Sequence, residues 1–266
     1  MYEDHYGLSP RPFGETTRPE SYLGLASHDA ALRRLRYGIE HGRGPALLFG
    51  PTGAGKTIVA RRLARDLGSP AVHLDFPAMP AADLLAYLAD ELAAPLGGPG
   101  LAGSIRRVRS SIRDSTLRGL RPLLIVDEAH LIDDPGTFDA LRLLLNIATA
   151  GPPDLSLLMV GEAEVLLRLP PALADRLTAR ATLGPLGREE SAAYVLGRLA
   201  AAGATGPLFD AEALDVLHRE ADGLPRRLNR LADLALLIAY AEGRDRPGPR
   251  AVEVAAREAA FEPIGV

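Results

Sequence analysis

Residues Gly50, Pro51, Thr52, Gly53, Ala54, Gly55, Lys56 and Thr57 satisfy the phosphate-binding spacing G-x-x-x-x-G-K-[ST] at every fixed position. No other feature of the chain limits its possible folds as strongly, because such a loop works between a buried strand and a helix N-terminus. The flanks agree. Ala46 to Phe49 is a short apolar run, and Ile58 to Leu67 has helical periodicity and stops at Gly68. The glycines let the backbone approach phosphate oxygens, so that N–H groups along the segment to Ile58 and the helix N-terminus face negative charge. Lys56 adds a compact positive charge for the β- and γ-oxygens, and the Thr57 hydroxyl is placed to hold Mg²⁺. Lys56 is also the only lysine among the 30 basic residues, the other 29 being arginine. A planar guanidinium is a poor substitute where a loop wraps a point charge. The reading is a chain that binds a nucleoside triphosphate and Mg²⁺.

Composition excludes several other chemistries. With no cysteine there is no disulfide, thiol nucleophile or thiolate metal site, and the six histidines are scattered without ligand spacing. The longest apolar run, Leu234 to Ala241, is about half a membrane span, and the N-terminus carries no secretory signal. A soluble, cytoplasmic chain is expected, with no membrane span. The net charge of −4 speaks against a surface coated in nucleic acid, though it allows a local basic patch.

Along the chain, residues 1 to 20 read as an ordered extended arm, because Tyr2, Tyr6, Leu8 and Phe13 need somewhere to pack. Ser27 is the expected N-cap of a helix from His28 to His41, with Gly42 as its stop. A second strand is expected over Ala71 to Phe76 and a helix over Ala81 to Ala93. A Gly/Pro-rich break at 95–103 precedes a helix over Ser104 to Arg118. That helix carries Arg106, Arg109 and Arg113 on one face, with Ile105, Val108 and Ile112 opposite. The basic face is either solvated or an anion or nucleic-acid patch.

A third strand, Pro122 to Val126, runs straight into Asp127 and Glu128. An apolar strand ending in Asp-Glu after a phosphate loop is the second signature of nucleotide hydrolysis. Asp127 would hold Mg²⁺ and Glu128 would polarise the attacking water. A helix over Thr137 to Ala148 and a fourth strand over Leu155 to Gly161 follow. Strands alternating with helices imply a parallel sheet with its ligand at the carboxyl edge. Beyond residue 185 only helices are expected, over Glu189 to Ala202, Ala211 to Ala221, Pro225 to Glu242 and Pro249 to Ala260. Three parts result: an arm and helix packing on the core (1–44), a nucleotide-binding core (45–184) and an all-helical lid (185–266).

This arrangement resembles the AAA+ ATPases, an α/β P-loop fold whose parallel sheet is sandwiched by helices and followed by a small helical lid domain. Met1, Tyr2, His5 to Leu8, Pro12, Phe13, Tyr22, Leu23, His28, Leu35, Tyr37 and Gly38 are similar to the N-terminal signature of the general secretion pathway protein A family. Gly223 to Asn229, Asp233, Ala235 and Leu236 are similar to its lid signature. The resemblance implies ATP hydrolysis in a homo-oligomer that assembles or remodels a protein partner in secretion, pilus or exopolysaccharide systems. It also implies residue roles. Arg226 would reach the γ-phosphate within the same subunit. Arg176 or Arg180 would be offered to a neighbouring subunit's nucleotide, with Arg176 favoured. The strand-4 sensor, usually neutral and polar, is displaced here by Glu162, so that Asn146 becomes the alternative nucleotide sensor.

Two other readings belong to different classes. One is an ATP-dependent DNA-binding regulator, because transposition ATPases of the TniB type share the core and the arginine face could meet DNA. The other is a switch that binds ATP and scarcely hydrolyses it.

Overall fold

The computed structural model describes residues 1–14, 16–42, 44–92, 98–147 and 153–261. A short helix α1 (Tyr2–His5) and a 3-10 turn at Pro19–Ser21 lead to α2 (Ala26–His41). Then β1 (Ala46–Phe49), α3 (Lys56–Leu67), β2 (Ala71–Leu74), α4 (Ala81–Glu91), α5 (Gly100–Leu117) and β3 (Leu123–Val126) follow. After a second 3-10 turn at Ala129–Leu131 come α6 (Pro135–Leu144), β4 (Ser156–Gly161), α7 (Val165–Arg168), α8 (Pro171–Ala174) and β5 (Ala179–Thr182). The rest is helical: α9 (Arg188–Ala201), α10 (Ala211–Ala221), α11 (Pro225–Ala241) and α12 (Pro249–Phe261).

The five strands form one parallel sheet in the order β2-β3-β4-β1-β5. Its inner strands bury both faces, which is why they read as unbroken apolar runs. Leu47, Leu124, Val126, Leu157 and Met159 face α4, α5 and α6 in one cluster, with Leu84, Ile112 and Leu141 among their neighbours. Leu48, Leu123, Ile125, Leu158 and Val160 face α2 and α3 in another, against Leu35, Val59 and Leu63. The register pairs Phe49 with Gly161 on one side and with Thr182 on the other. The residues that follow β1, β3 and β4 therefore emerge together at the carboxyl edge.

A third cluster unites α9 to α12 with the N-terminal arm. Tyr2, Leu8 and Phe13 are buried beside Leu199, Phe209, Leu217, Leu228 and Leu236. The arm thus packs on the C-terminal helices rather than on the sheet, and its start is helical rather than extended. Arg11 and the Tyr2 hydroxyl both bond the Asp233 carboxylate, fixing the arm to α11.

Local expectations needed correction in several places. Ser27 lies within α2, not at its cap, and its N–H is bonded to Glu190 Oε1 at 2.8 Å. The helix starts earlier because Leu25 packs into the helical cluster and its carbonyl accepts from Asp29 N–H at 2.8 Å. Helix α5 begins at Gly100, so Ile105 sits on an exposed part of its surface while Val108 and Ile112 are buried. Strand β5 was not expected. Its Ala179 and Ala181 face α2, while Arg180 and Thr182 are exposed, an alternation too short and too alanine-rich to register as a strand. The break at 95–103 and the expected helix ends at Ala93 and Ala148 lie wholly or partly outside the described residues. No described helix is long and apolar enough to cross a membrane.

Candidate functional site

The loop after β1 is shaped by glycine where the chemistry demands it. Gly53 and Gly55 have φ of 81° and 92°, and Gly55 hands the chain directly to the first turn of α3. Gly53 lies against α11: a Cβ there would come within 2.9 Å of Arg226 Cβ, and the Arg226 N–H donates to Gly53 O at 3.2 Å. Gly55 lies against His28, whose Nε2 bonds Ala54 O at 3.0 Å. The loop is clamped from two sides by residues far away in sequence. Burial pushes the His28 imidazolium below its ordinary range, so a neutral ring that donates from Nε2 fits the site.

Lys56 is buried, and its ammonium donates to Gly50 O at 2.9 Å and Pro51 O at 3.1 Å. Burial lowers its pKa, an effect opposed by the charges of Glu128, Glu162 and Asp127. The next residue reaches the end of β3. Thr57 Oγ1 donates to Asp127 Oδ2 at 2.7 Å, so the loop and the strand-end carboxylate meet directly. Asp127 is buried, which raises a carboxylate pKa. Donors from His73, Thr57 and the Glu128 N–H outweigh that burial and hold it below the ordinary range. His73 Nε2 lies 3.3 Å from Asp127 Oδ2 and 3.2 Å from Asp75 Oδ1, a second layer behind the first. A hydroxyl and an ionised carboxylate converging in this way form a hard oxygen donor pair that suits Mg²⁺.

Glu128 adopts φ 50°, unusual for a residue with a side chain, and its N–H is tied to Asp127 Oδ1 at 3.0 Å. It lines an open cleft with a cavity volume of about 170 Å³. Thr52, Gly53, Gly55, Lys56, Thr57 and Ile58 form the floor of this cleft. Gly50, Pro51 and Ala54 carry the loop beneath it. Pro225, Arg226 and Asn229 of α11 and Tyr194 and Arg198 of α9 wall one side, and Thr16, Thr17 and Ser21 to Leu23 of the arm, with Leu25, close another. Its lining combines charged groups with the apolar surface of Tyr22, Leu23, Leu25 and Tyr194.

Three residues singled out from the sequence lie elsewhere. Asn146 accepts from Arg176 Nη1 at 3.1 Å, and Arg180 Nη2 donates to Ala174 O at 3.3 Å. Thr178 N–H bonds Pro45 O just before β1, and Asp154 N–H bonds Ile147 O just before β4. Asn146 and Arg176 therefore flank the amino edge, while the loop crowns the carboxyl edge. The length of β1, roughly 13 Å at about 3.3 Å per residue, separates the two. Glu162, by contrast, reaches the loop, where its carboxylate accepts from the Thr52 hydroxyl.

Sequence reasoning placed His28 only within a terminal signature and did not place Tyr194, Arg198 or Asn229 in the site. Tyr194 and Asn229 bond each other at 2.9 Å across two helices, and Arg198 bonds the arm at Pro12 O and Gly14 O. Nothing local in their sequence marks them. The Gly-Leu-Pro-Arg run was the available signal for this wall.

Comparison with known proteins agrees with this architecture. Residues 39–169 match the family described as an AAA domain. The chain is 37% identical to general secretion pathway protein A of Aeromonas hydrophila over 91% of its own length. That alignment covers 46% of the relative, so the chain spans about half the length of the curated protein it matches. Among solved structures, Cdc6p from Pyrobaculum aerophilum superposes with a TM-score of 0.75 at 19% identity, over 94% of this chain and 71% of that one. The RuvB Holliday junction branch migration motor of Thermotoga maritima gives 0.63 at 17% identity, over 92% and 73%. At such identities the two structures share the fold with this chain.

Proposed function

We propose that this chain, which belongs to the general secretion pathway protein A family and carries an AAA domain, hydrolyses ATP to assemble or remodel a protein partner. The contact of Thr57 with Asp127 carries the reading, because it joins the phosphate loop to the strand-end carboxylate that hydrolysis requires. Triphosphate oxygens replace the Gly50 and Pro51 carbonyls as partners of Lys56. Thr57 and Asp127 would hold Mg²⁺, which would supply neutralising charge to the triphosphate. Glu128 polarises the attacking water, and Arg226 turns from the loop rim toward the γ-phosphate. The base enters the cleft between the arm and Tyr194.

Arg176 is half-buried and Arg180 exposed at the far edge of their own sheet, positions that suit a neighbouring subunit's nucleotide, so the active form is a homo-oligomer. Its work is cytoplasmic and supports an envelope system of the kind named in its relative. Steady-state ATP hydrolysis by the purified chain, with Lys56→Ala as the blank, tests the proposal. Turnover equal to that blank would refute it. The exposed Arg106, Arg109 and Arg113 on α5 favour a second reading, a DNA-stimulated regulator. Strong stimulation of the same assay by duplex DNA at low salt would select it.

A further inference from the structure

We propose that His130 is a positioning residue that ties the orientation of Glu128 to the phosphate loop through a single ring nitrogen. His130 lies in the 3-10 turn after β3, and its ring rests against the end of β4. A Cβ on Gly161 would come within 3.2 Å of the His130 backbone nitrogen and 3.3 Å of its Nδ1, so the ring packs tightly against this glycine. Two groups compete for that Nδ1. The Glu162 N–H donates to it at 3.3 Å, and Glu128 Oε2 lies 3.4 Å from it.

One nitrogen cannot serve both. To accept from Glu162, Nδ1 must present its lone pair, with the ring proton on Nε2. To hold the Glu128 carboxylate, Nδ1 must carry a proton and donate it. In the structure the first bond is made, so Glu128 faces a lone pair and is not fixed by the ring. Its backbone is already set by the bond from its N–H to Asp127, which leaves only side-chain torsions to decide.

Glu162 connects this choice to the loop. Its carboxylate accepts the Thr52 hydroxyl, and its charge acts on Lys56. A γ-phosphate bound on the loop sets like charge against that carboxylate. Repulsion moves Glu162 away from Thr52 and draws its N–H off His130. Nε2 then releases its proton to solvent and Nδ1 takes one up, with no net change in charge. The new N–H donates to Glu128 and orients it toward the attacking water. Triphosphate binding thereby aligns the group that polarises water.

The inference rests on the role proposed for Glu128, and two variants separate hydrogen bonding from packing. His130→Phe keeps the ring but has no donor, so kcat should fall at least about tenfold, while affinity for a slowly hydrolysed ATP analogue stays within about twofold. His130→Gln loses the ring but offers an amide N–H, and should recover turnover to within about threefold of wild type. In ¹⁵N-histidine-labelled protein, adding the analogue with Mg²⁺ should move the His130 Nδ1 resonance from the unprotonated to the protonated position. Wild-type turnover in His130→Phe overturns the inference. So does affinity lost in step with kcat, or an Nδ1 signal that does not move. A wild-type chain no more active than Lys56→Ala removes the role of Glu128 and this inference with it.

Discussion

The two edges of the sheet are built differently. At the carboxyl edge the candidate groups are bonded to one another within one chain: Lys56 to the loop carbonyls, Thr57 to Asp127, and Arg226 through its N–H to Gly53. At the amino edge, Arg176 is held by exposed Asn146, and Arg180 by a carbonyl of α8. Lys56 and Asp127 are buried, and Arg226, though exposed, is anchored by its main chain. Arg176 is half-buried and Arg180 exposed, each held through its side chain, as suits a group that serves another molecule. The difference between the edges is what an ATPase completed by its neighbour would require.

The largest expected effect lies at the amino edge. Arg176→Ala should reduce turnover by about 10³- to 10⁵-fold while leaving ATP affinity unchanged, measured by steady-state hydrolysis and equilibrium binding. An equal loss in Arg180→Ala with none in Arg176→Ala would move the role along the same edge. At the anchored edge, Glu128→Gln should keep ATP bound and cut turnover by about 10²- to 10⁴-fold. Retained hydrolysis would break the assignment of Glu128. Lys56→Ala should weaken ATP binding by about 10- to 150-fold, corresponding to the roughly 1.5 to 3 kcal/mol of a charged hydrogen bond. Titration calorimetry would show it.

The smallest effect concerns the clamp beneath the loop. Burial holds His28 below the ordinary histidine value of about 6.5, so the unfolded chain binds the proton more readily than the folded one. The stability carried by neutral His28 is complete above the unfolded pKa and is lost as pH falls below about 6.5 toward the folded value. The slope for one proton cannot exceed about 1.4 kcal/mol per pH unit. Denaturant unfolding at pH 5.5 and 7.5 should show this loss in wild type and a smaller one in His28→Gln.

Legibility in the sequence divides along similar lines. The phosphate loop and the Asp127-Glu128 strand end were readable because each fixed position is required by local backbone geometry or charge. The parallel sheet and the helical C-terminus were readable from alternating apolar runs and their cessation. Strand β5 was not, since Ala179 and Ala181 carry little β preference and gain their place by packing on α2. Ser27 has the chemistry of a cap, but packing of Leu25 against the C-terminal helices extended α2 past it. His28 and Tyr194 reached the site through tertiary packing, which no local pattern encodes.

Mixing two inactive chains tests the contrast between the edges most directly. Glu128→Gln retains Arg176 but lacks the water-polarising group, whereas Arg176→Ala has the reverse defect. An equimolar mixture should hydrolyse ATP well above the sum of the separate chains, with activity rising more than linearly with protein concentration. A mixture no better than its parts would contradict completion of one chain's site by another.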